Sequence, residues 1–168
     1  MEYPMFVTVA TLRHVPSGIR ETEEYVVHEF IHNYFMATVA TNEFEEAWLD
    51  EGITSFYESE GMDYYYGDGS LFNFMGFRLN SSEMHRVSYT QSYNPAIAPI
   101  ESFAWKYPTY NYGMLAYSKA CTMMQTLKGL MGEEHFRNAM SAYFEKYKFK
   151  HPSARDFVAV INQEVALI

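Results

Sequence analysis

The feature that most constrains this chain is a pair of histidines, His28 and His32, that stand four residues apart with Glu29 between them. Four residues advance an α-helix by about one turn, so both imidazoles would project from one face of a helix. Both rings could then reach one metal ion at the roughly 2.0–2.1 Å that zinc–nitrogen bonds require. Glu29 lies further round the helix, where it could reach a water molecule held on the ion. The alternative interpretation is two buried histidines beside an incidental glutamate.

The segment around these histidines has the pattern of an amphipathic helix. Three glutamates lie near its start, where negative charge stabilises the positive end of the helix dipole. Apolar residues then recur at intervals of three and four. These features predict a helix over about residues 21–37, and a second helix is predicted over about 45–60, ended by Gly61.

A candidate third metal ligand lies in the second predicted helix. A catalytic zinc site takes three protein ligands and keeps one position open. Glu51 follows His32 after 18 intervening residues and has apolar neighbours, so we expect it on an inner face and interpret the other acidic residues nearby, Asp50 among them, as a solvated face. Glu58 lies two turns further along the same face, where a carboxylate could orient a ligand or bind a cation. We group Glu58 with the candidate substrate-binding residues.

The rest of the chain is predicted from composition and periodicity. Residues 6–12 are β-branched and roughly alternating, which predicts a strand. Residues 62–110 hold most of the Gly, Asn and Pro and are expected to contain at most short helices. Helices are predicted over about 114–131 and 133–147, and a last one after Pro152. The many aromatic residues of the middle stretch fit either loop packing or the wall of a substrate cleft.

Length and charge limit the function classes. The chain has 168 residues, enough for one domain with a buried core. Its net charge of −9 argues against a nucleic-acid partner, because nothing would neutralise the phosphates, and suits a metal ion or a protonated amine. No apolar run approaches the roughly 20 residues of a spanning helix, and no basic stretch precedes an apolar one. We therefore expect neither a transmembrane segment nor a signal peptide in this chain, and the compartment stays unknown.

Three segments together resemble a known family. The spacing of His28, His32 and Glu51, with Trp-Leu-Asp-Glu-Gly at 48–52, resembles the zinc signature of the gluzincin aminopeptidases, the aminopeptidase N and leukotriene-hydrolase family. Met-Glu-Tyr-Pro-Met at the start is similar to the tail of that family's G-x-M-E-N exopeptidase motif. Tyr-Ser-Lys-Ala from Tyr117 onward resembles its Y-x-K-G segment. The similarity runs to about residue 157, and its middle third is poorly matched.

The resemblance implies an α+β, predominantly α-helical fold, that of a thermolysin-like zinc peptidase catalytic domain with a short N-terminal strand region. We expect residues 1–168 to form one such domain. Within it, 1–61 would hold the strand and the zinc-binding helices, 62–112 an aromatic-rich irregular segment, and 113–168 a helical lobe. The family carries a large β-rich domain upstream, so we expect this chain to be a fragment of a longer protein. The surface left exposed by the missing domain could make the fragment self-associate.

The resemblance also implies a role for each site residue. One Zn²⁺ per chain would be held by the two histidines and Glu51, and Glu29 would take the proton of the attacking water. Tyr117 would donate its hydroxyl to the developing oxyanion, with Tyr112 as the alternative donor. Glu2 would bind the α-ammonium of a peptide substrate that has a free N-terminus, which makes the expected enzyme an aminopeptidase.

Two other functions remain open at this point. A thermolysin-like endopeptidase would keep the three ligands and Glu29 but would not need Glu2. A catalytically inactive zinc-binding fragment with an interaction role would need neither Glu29 nor Glu2. The presence of Glu29 between two histidines argues against the inactive fragment, because a purely structural zinc site has no use for a general base.

Overall fold

The computed structural model describes residues 1–91 and 99–167. The α-helices of these ranges are α1 (Glu21–Tyr34), α2 (Glu43–Ala47), α3 (Ile53–Tyr66), α4 (Ser81–Thr90), α5 (Ala120–Met131), α6 (Glu133–Tyr147) and α7 (Ala154–Val165). The strands are β1 (Glu2–Tyr3), β2 (Phe6–Val7), β3 (Phe72–Phe74) and β4 (Phe77–Leu79), which pair as two separate antiparallel hairpins. The prediction of a mostly helical α+β fold is confirmed.

Three π-helical turns adjoin the helices and shape the site. They span Phe35–Val39 after α1, Trp48–Gly52 between α2 and α3, and Met114–Lys119 before α5. A π turn adds one residue to a helical turn, and such turns are frequent at functional sites. Here they carry or adjoin several of the side chains expected in the site.

The predicted strand over residues 6–12 is wrong for most of its length. The strand spans Phe6–Val7, with Glu2–Tyr3 as its partner, and one further pair of backbone hydrogen bonds joins Thr8 to Met1. A strand is stabilised by a neighbouring strand, and this hairpin has none beyond its two short arms. Alternating β-branched residues therefore did not suffice to extend the strand.

The second predicted helix continues further than Gly61. Helix α3 passes through Gly61 and ends at Tyr66, where Gly67 has a positive φ of 66°. A Cβ built on Gly61 would lie 3.4 Å from Val27, so this glycine marks the close packing of α3 on α1 and not a helix end. The glycine that ends α3 with a positive φ is Gly67 instead.

The core lies between α1, α3, α5, α6 and α7. The apolar face of α6 is buried there, with Phe136, Met140 and Tyr143 at intervals of three and four residues. Ser153 and Asp156 form a capping box at the start of α7. Helix α1 packs against α3, so that the candidate ligands of α1 face the π turn that leads into α3 and carries Glu51.

The aromatic-rich middle segment contains more regular secondary structure than the short helices that were predicted for it. It forms the β3–β4 hairpin, the ten-residue helix α4 and two 3₁₀ turns, Ala104–Lys106 and Thr109–Asn111. Part of the predicted segment, residues 92–98, lies outside the described residues. Helix α4 packs against α3, α5 and the π turn before α5. Within the described ranges, no helix is long and apolar enough to span a membrane.

Candidate metal centre

Helix α1 and the π turn before α3 bring three donor atoms together. Nε2 of His28 lies 3.0 Å from Nε2 of His32. Oε2 of Glu51 lies 3.1 Å from the first of these nitrogens and 3.2 Å from the second. The three atoms form a nearly equilateral triangle, as the spacing of the residues in the sequence predicts.

This triangle has the dimensions that a tetrahedral zinc ion needs. Ligand atoms roughly 2.0–2.1 Å from a tetrahedral ion lie about 3.3 Å from one another. The observed separations of 3.0–3.2 Å come close to that edge. Two imidazoles and one carboxylate are also a donor set found in catalytic zinc sites. The residues present therefore fit a zinc ion that has three protein ligands.

The other nitrogen of each imidazole is held by a carboxylate. Nδ1 of His32 lies 2.7 Å from Oδ1 of Asp50, and Nδ1 of His28 lies 3.1 Å from Oε2 of Glu58. A carboxylate accepts a hydrogen bond from Nδ1–H, which leaves the lone pair on Nε2. Both imidazoles are thus oriented so that, in their neutral form, they bind a metal through Nε2.

The electrostatics of this cluster favour positive charge. Burial alone would lower the pKa of His28, but its hydrogen bonds with Glu51 and Glu58 raise it to about 9. Burial opposes the shift at His32 too, and Asp50 and Glu51 raise that pKa to about 10. Burial would raise the pKa of Glu51, but contacts with the histidines and Tyr117 lower it to about 2. A divalent cation would take the place of the protons that the carboxylates otherwise attract.

Tyr117 lies beside the donor triangle. Its hydroxyl donates to Oε1 of Glu51 over 2.5 Å, and its ring stacks on His28 with centroids 5.7 Å apart. Burial and the charge of Glu51 raise its pKa, so the phenol keeps its proton at neutral pH. Tyr112 is further away, with its ring centroid 6.3 Å from that of Tyr117. Of the two tyrosines, Tyr117 is the one that contacts a candidate ligand.

A close backbone crossing sets the position of Tyr117. A Cβ on Gly52 would lie 2.3 Å from Cβ of Ala120 and 3.0 Å from the carbonyl oxygen of Ala116. Only a glycine leaves room for this approach. The turn that carries Glu51 therefore touches the segment that carries Tyr117.

Glu29 and Glu2 lie on the open side of the site. The Met1 ammonium is 2.6 Å from Oε1 of Glu29 and 3.7 Å from Oε2 of Glu2. Oε2 of Glu29 has no hydrogen-bond partner among the described residues. Glu2 and Glu29 each have a carboxylate oxygen within 4.8 Å of a ring nitrogen of His32, so both side chains border the donor triangle.

Glu58 lies behind the donor triangle, on the far side of His28. Its side chain is 4% exposed and also contacts Ser81 and His85. These contacts support the interpretation that Glu58 orients a ligand, and none of them faces the open side of the site where Glu2 lies.

Sequence reasoning missed the role of Asp50 and of α4. Asp50 was interpreted as part of a solvated acidic face, but it is 0% exposed and its partner is His32. The signal for its burial was present in the apolar pair Trp48 and Leu49 that precedes it. Ser81, by contrast, reaches the site by tertiary packing alone, and no local pattern marks it.

Residues 6–167 match the peptidase family M1 domain. The chain belongs to that family. Human glutamyl aminopeptidase is 26% identical over 141 residues, which cover 82% of this chain and 14% of the relative. Human aminopeptidase RNPEPL1 is 27% identical over 169 residues, covering 92% of this chain and 23% of the relative. Aminopeptidase N of Haemonchus contortus is 24% identical over 153 residues, which cover 90% of this chain and 15% of the relative.

This M1 chain spans less than a quarter of the length of each of these three relatives. No solved structure gives a significant match. The membership of the gluzincin aminopeptidase family that the motifs indicate is confirmed. The family also gives the donor triangle a known context, since M1 peptidases are metallopeptidases.

Proposed function

We propose that this chain is the catalytic part of a zinc aminopeptidase, which removes N-terminal residues from peptides. The observation that carries the proposal is the convergence of His28, His32 and Glu51, with each imidazole fixed from behind by a carboxylate. In this assignment the three side chains hold one Zn²⁺. When bound, zinc would act as a Lewis acid that polarises the scissile carbonyl and lowers the pKa of the attacking water, so that a base can remove its proton.

Glu29 is the proposed general base. It follows His28 directly on α1, which places its carboxylate on the open side of the donor triangle. Its Oε2 is buried and has no hydrogen-bond partner among the described residues, which leaves this atom free to accept the proton of the attacking water. The same carboxyl group then gives a proton to the leaving amine nitrogen.

Tyr117 is the proposed donor to the oxyanion. In the structure its hydroxyl donates to Glu51, and its raised pKa keeps the proton in place at neutral pH. A rotation of the side chain lets the same hydroxyl donate to the substrate oxygen as negative charge develops there. A preorganised donor of this kind contributes about 100- to 1,000-fold to the rate of acyl transfer.

Glu2 is the proposed anchor for the substrate's α-ammonium. A carboxylate oxygen of Glu2 lies within 4.8 Å of donor atoms of Glu29 and His32, which supports a place for Glu2 beside the proposed zinc site. An anchor for a free N-terminus distinguishes an aminopeptidase from an endopeptidase. The aminopeptidase names of the relatives point the same way.

The test combines metal analysis with peptide hydrolysis by the purified chain. We expect one zinc per chain and chelator-sensitive release of N-terminal residues from aminoacyl amides. Glu29→Gln should keep the metal and stop turnover. Glu2→Ala should lower hydrolysis of free peptides and leave that of N-blocked peptides unchanged. Faster cleavage of blocked than of free peptides would favour an endopeptidase, and stoichiometric zinc with no turnover would favour an inactive zinc-binding fragment.

A further inference from the structure

The carboxylate behind His28 is itself held by a helix from outside the metal motif. Ser81, the first residue of α4, is 0% exposed. Its Oγ lies 2.8 Å from Oε1 of Glu58 and 2.8 Å from Oε1 of Glu24. Glu24 lies on α1, one turn before His28. One hydroxyl thus bridges two carboxyl groups next to the metal centre.

Counting hydrogen atoms gives this bridge a direction. A hydroxyl carries one hydrogen, so both contacts can be full hydrogen bonds only if one of the two carboxyl groups is protonated and donates to the hydroxyl. Glu58 contacts Nδ1 of His28, where an anion is the better acceptor. Glu24 is therefore the group assigned the proton. Burial and the nearby charge of Glu58 raise the pKa of Glu24 to about 8, although the hydrogen bond with Ser81 opposes this shift.

We propose that Glu24 and Ser81 are positioning residues for the zinc ligand His28. The protonated carboxyl of Glu24 donates to Ser81, and Ser81 donates to Glu58. Glu58 then holds Nδ1 of His28, so that Nε2 faces the metal. The inference rests on the proposed zinc site and extends it to two residues outside the metal motif.

The start of α4 is fixed well enough to place this hydroxyl. The backbone N–H of Ser81 donates to Oγ of Ser70 over 2.9 Å, and Ser70 donates to Asp63 of α3 over 2.5 Å. A capping box between Asn80 and Glu83 closes the first turn of the helix. The position of Ser81 is therefore set by hydrogen bonds on both sides of the helix start.

His85, one turn further along α4, contacts Glu58 from another direction. Its Nε2 lies 3.7 Å from Oε1 of Glu58, and its Nδ1 lies 3.4 Å from Oγ of Ser118. Ser118 follows Tyr117 in the chain. Helix α4 therefore supports both the carboxylate behind one ligand and the segment of the proposed oxyanion donor.

The first experiment compares two adjacent serines of α4. Ser82 also donates to a carboxylate, Oδ2 of Asp63, over 2.7 Å, but no hydrogen bond within the described ranges joins Ser82 to Glu58. Zinc affinity is measured by competition with a chromophoric chelator, and ligand geometry by the visible absorption of the Co²⁺-substituted chain. We expect Ser81→Ala to weaken zinc binding by about 10-fold and to change the cobalt spectrum. Ser82→Ala should leave both unchanged.

The second experiment tests the direction of the hydrogen bonds. The amide of glutamine can donate to Ser81 as the protonated carboxyl does, whereas leucine of similar size cannot. Glu24→Gln should therefore keep the parent zinc affinity, and Glu24→Leu should lower it about as much as Ser81→Ala. Rescue by glutamine would not be expected if Glu24 only filled space.

Each outcome decides between the proposals. A zinc-binding parent whose affinity and cobalt spectrum survive Ser81→Ala overturns the positioning role and leaves the zinc site intact. Equal losses for Glu24→Gln and Glu24→Leu overturn the assignment of Glu24 as the donor. A parent chain that takes up no zinc overturns the zinc site and this inference together. Thermal unfolding of each metal-free variant shows whether it is folded, and the Glu24→Gln comparison stands even where Ser81→Ala does not fold.

Discussion

The two imidazoles of the metal centre are supported in different ways. His32 is held by Asp50, which precedes Glu51 in the chain and is fully buried. His28 is held by Glu58, which depends in turn on Ser81 of α4. One support is thus encoded next to a ligand, and the other relies on a helix packed from the middle segment.

The largest effect on zinc binding is expected at Glu51, which contacts both imidazoles. Its Oε2 lies within 3.2 Å of both imidazoles, so Glu51→Ala removes one ligand and the anion that the two histidines share. We expect the zinc to be lost on dialysis, as measured by metal analysis of the purified variant. Stoichiometric zinc in Glu51→Ala would show that Glu51 is not the third ligand.

The second prediction concerns Asp50, the support of His32 that adjoins Glu51 in the chain. Asp50→Asn should weaken zinc binding by up to about 100-fold, the upper end of the range for residues behind a metal ligand. Asp50 faces His32 over 2.7 Å in a site without solvent, where a neutral amide replaces a strong charge-assisted hydrogen bond with a weaker one. Chelator competition measures the affinity, and Glu45→Gln, an exposed change in the same acidic segment, serves as the control.

The third prediction concerns Glu58, the support of His28 that depends on the packing of α4. Glu58→Gln should weaken zinc binding by about 10-fold, because the amide oxygen can still accept from Nδ1 of His28. The loss should be smaller than for Asp50→Asn, since the contact is longer, 3.1 Å against 2.7 Å. A larger loss at Glu58 than at Asp50 in the same chelator assay would reverse the comparison.

The fourth prediction is a pH dependence of the metal-free chain. The folded pKa values of His28 and His32, about 9 and about 10, lie above the ordinary value of 6.5. Protonation of these rings therefore contributes stability below about pH 6.5, and this contribution is lost as the pH rises through 9 and 10. Glu51 has the opposite sign, because its pKa is lowered from 4.5 to about 2, and its contribution is lost in acid.

Thermal unfolding of the chelator-treated chain checks this sign. We expect the melting temperature to fall between pH 6.5 and 10, and the stabilisation by added zinc to grow over the same interval as the rings lose their protons. His32→Asn should reduce the slope, since the ring with the larger shift is gone. A melting temperature that rises over this interval would contradict the charge balance described for the site.

The smallest effect is expected within α3, the helix that carries Glu58. Gly61 lies in the interior of α3, and a Cβ there meets only Val27 at 3.4 Å. Gly61→Ala should raise the free energy of unfolding by about 0.5–1 kcal/mol, because alanine loses less backbone freedom on folding. Gly67→Ala should destabilise instead, since Gly67 has a φ of 66°. Denaturant unfolding of both variants measures the difference.

The sequence predicted the ligand triangle because its geometry is local. The spacing of His28 and His32 follows from the helix period, and Glu51 lies in a second helical segment with apolar neighbours. The support by Ser81 could not be predicted in this way, since 57 residues separate it from Glu24 and contact arises only when α4 packs on α3. The extension of α3 past Gly61 was missed for a related reason, because a glycine at a close helix crossing has the same local signature as one at a helix end.

The contact between Gly52 and Ala120 also governs how the site can move. With the two backbones this close, a shift of the Glu51 turn pushes the Tyr117 segment in the same direction. Ligand and proposed oxyanion donor then fluctuate as one body, and the distance between them changes little. Glu2, by contrast, belongs to a two-residue strand that pairs, within the described ranges, with the other arm of its hairpin. The wall that would face the reacting carbonyl is thus joined by a close backbone contact, whereas the wall that would receive the amino end of a peptide rests on a short hairpin.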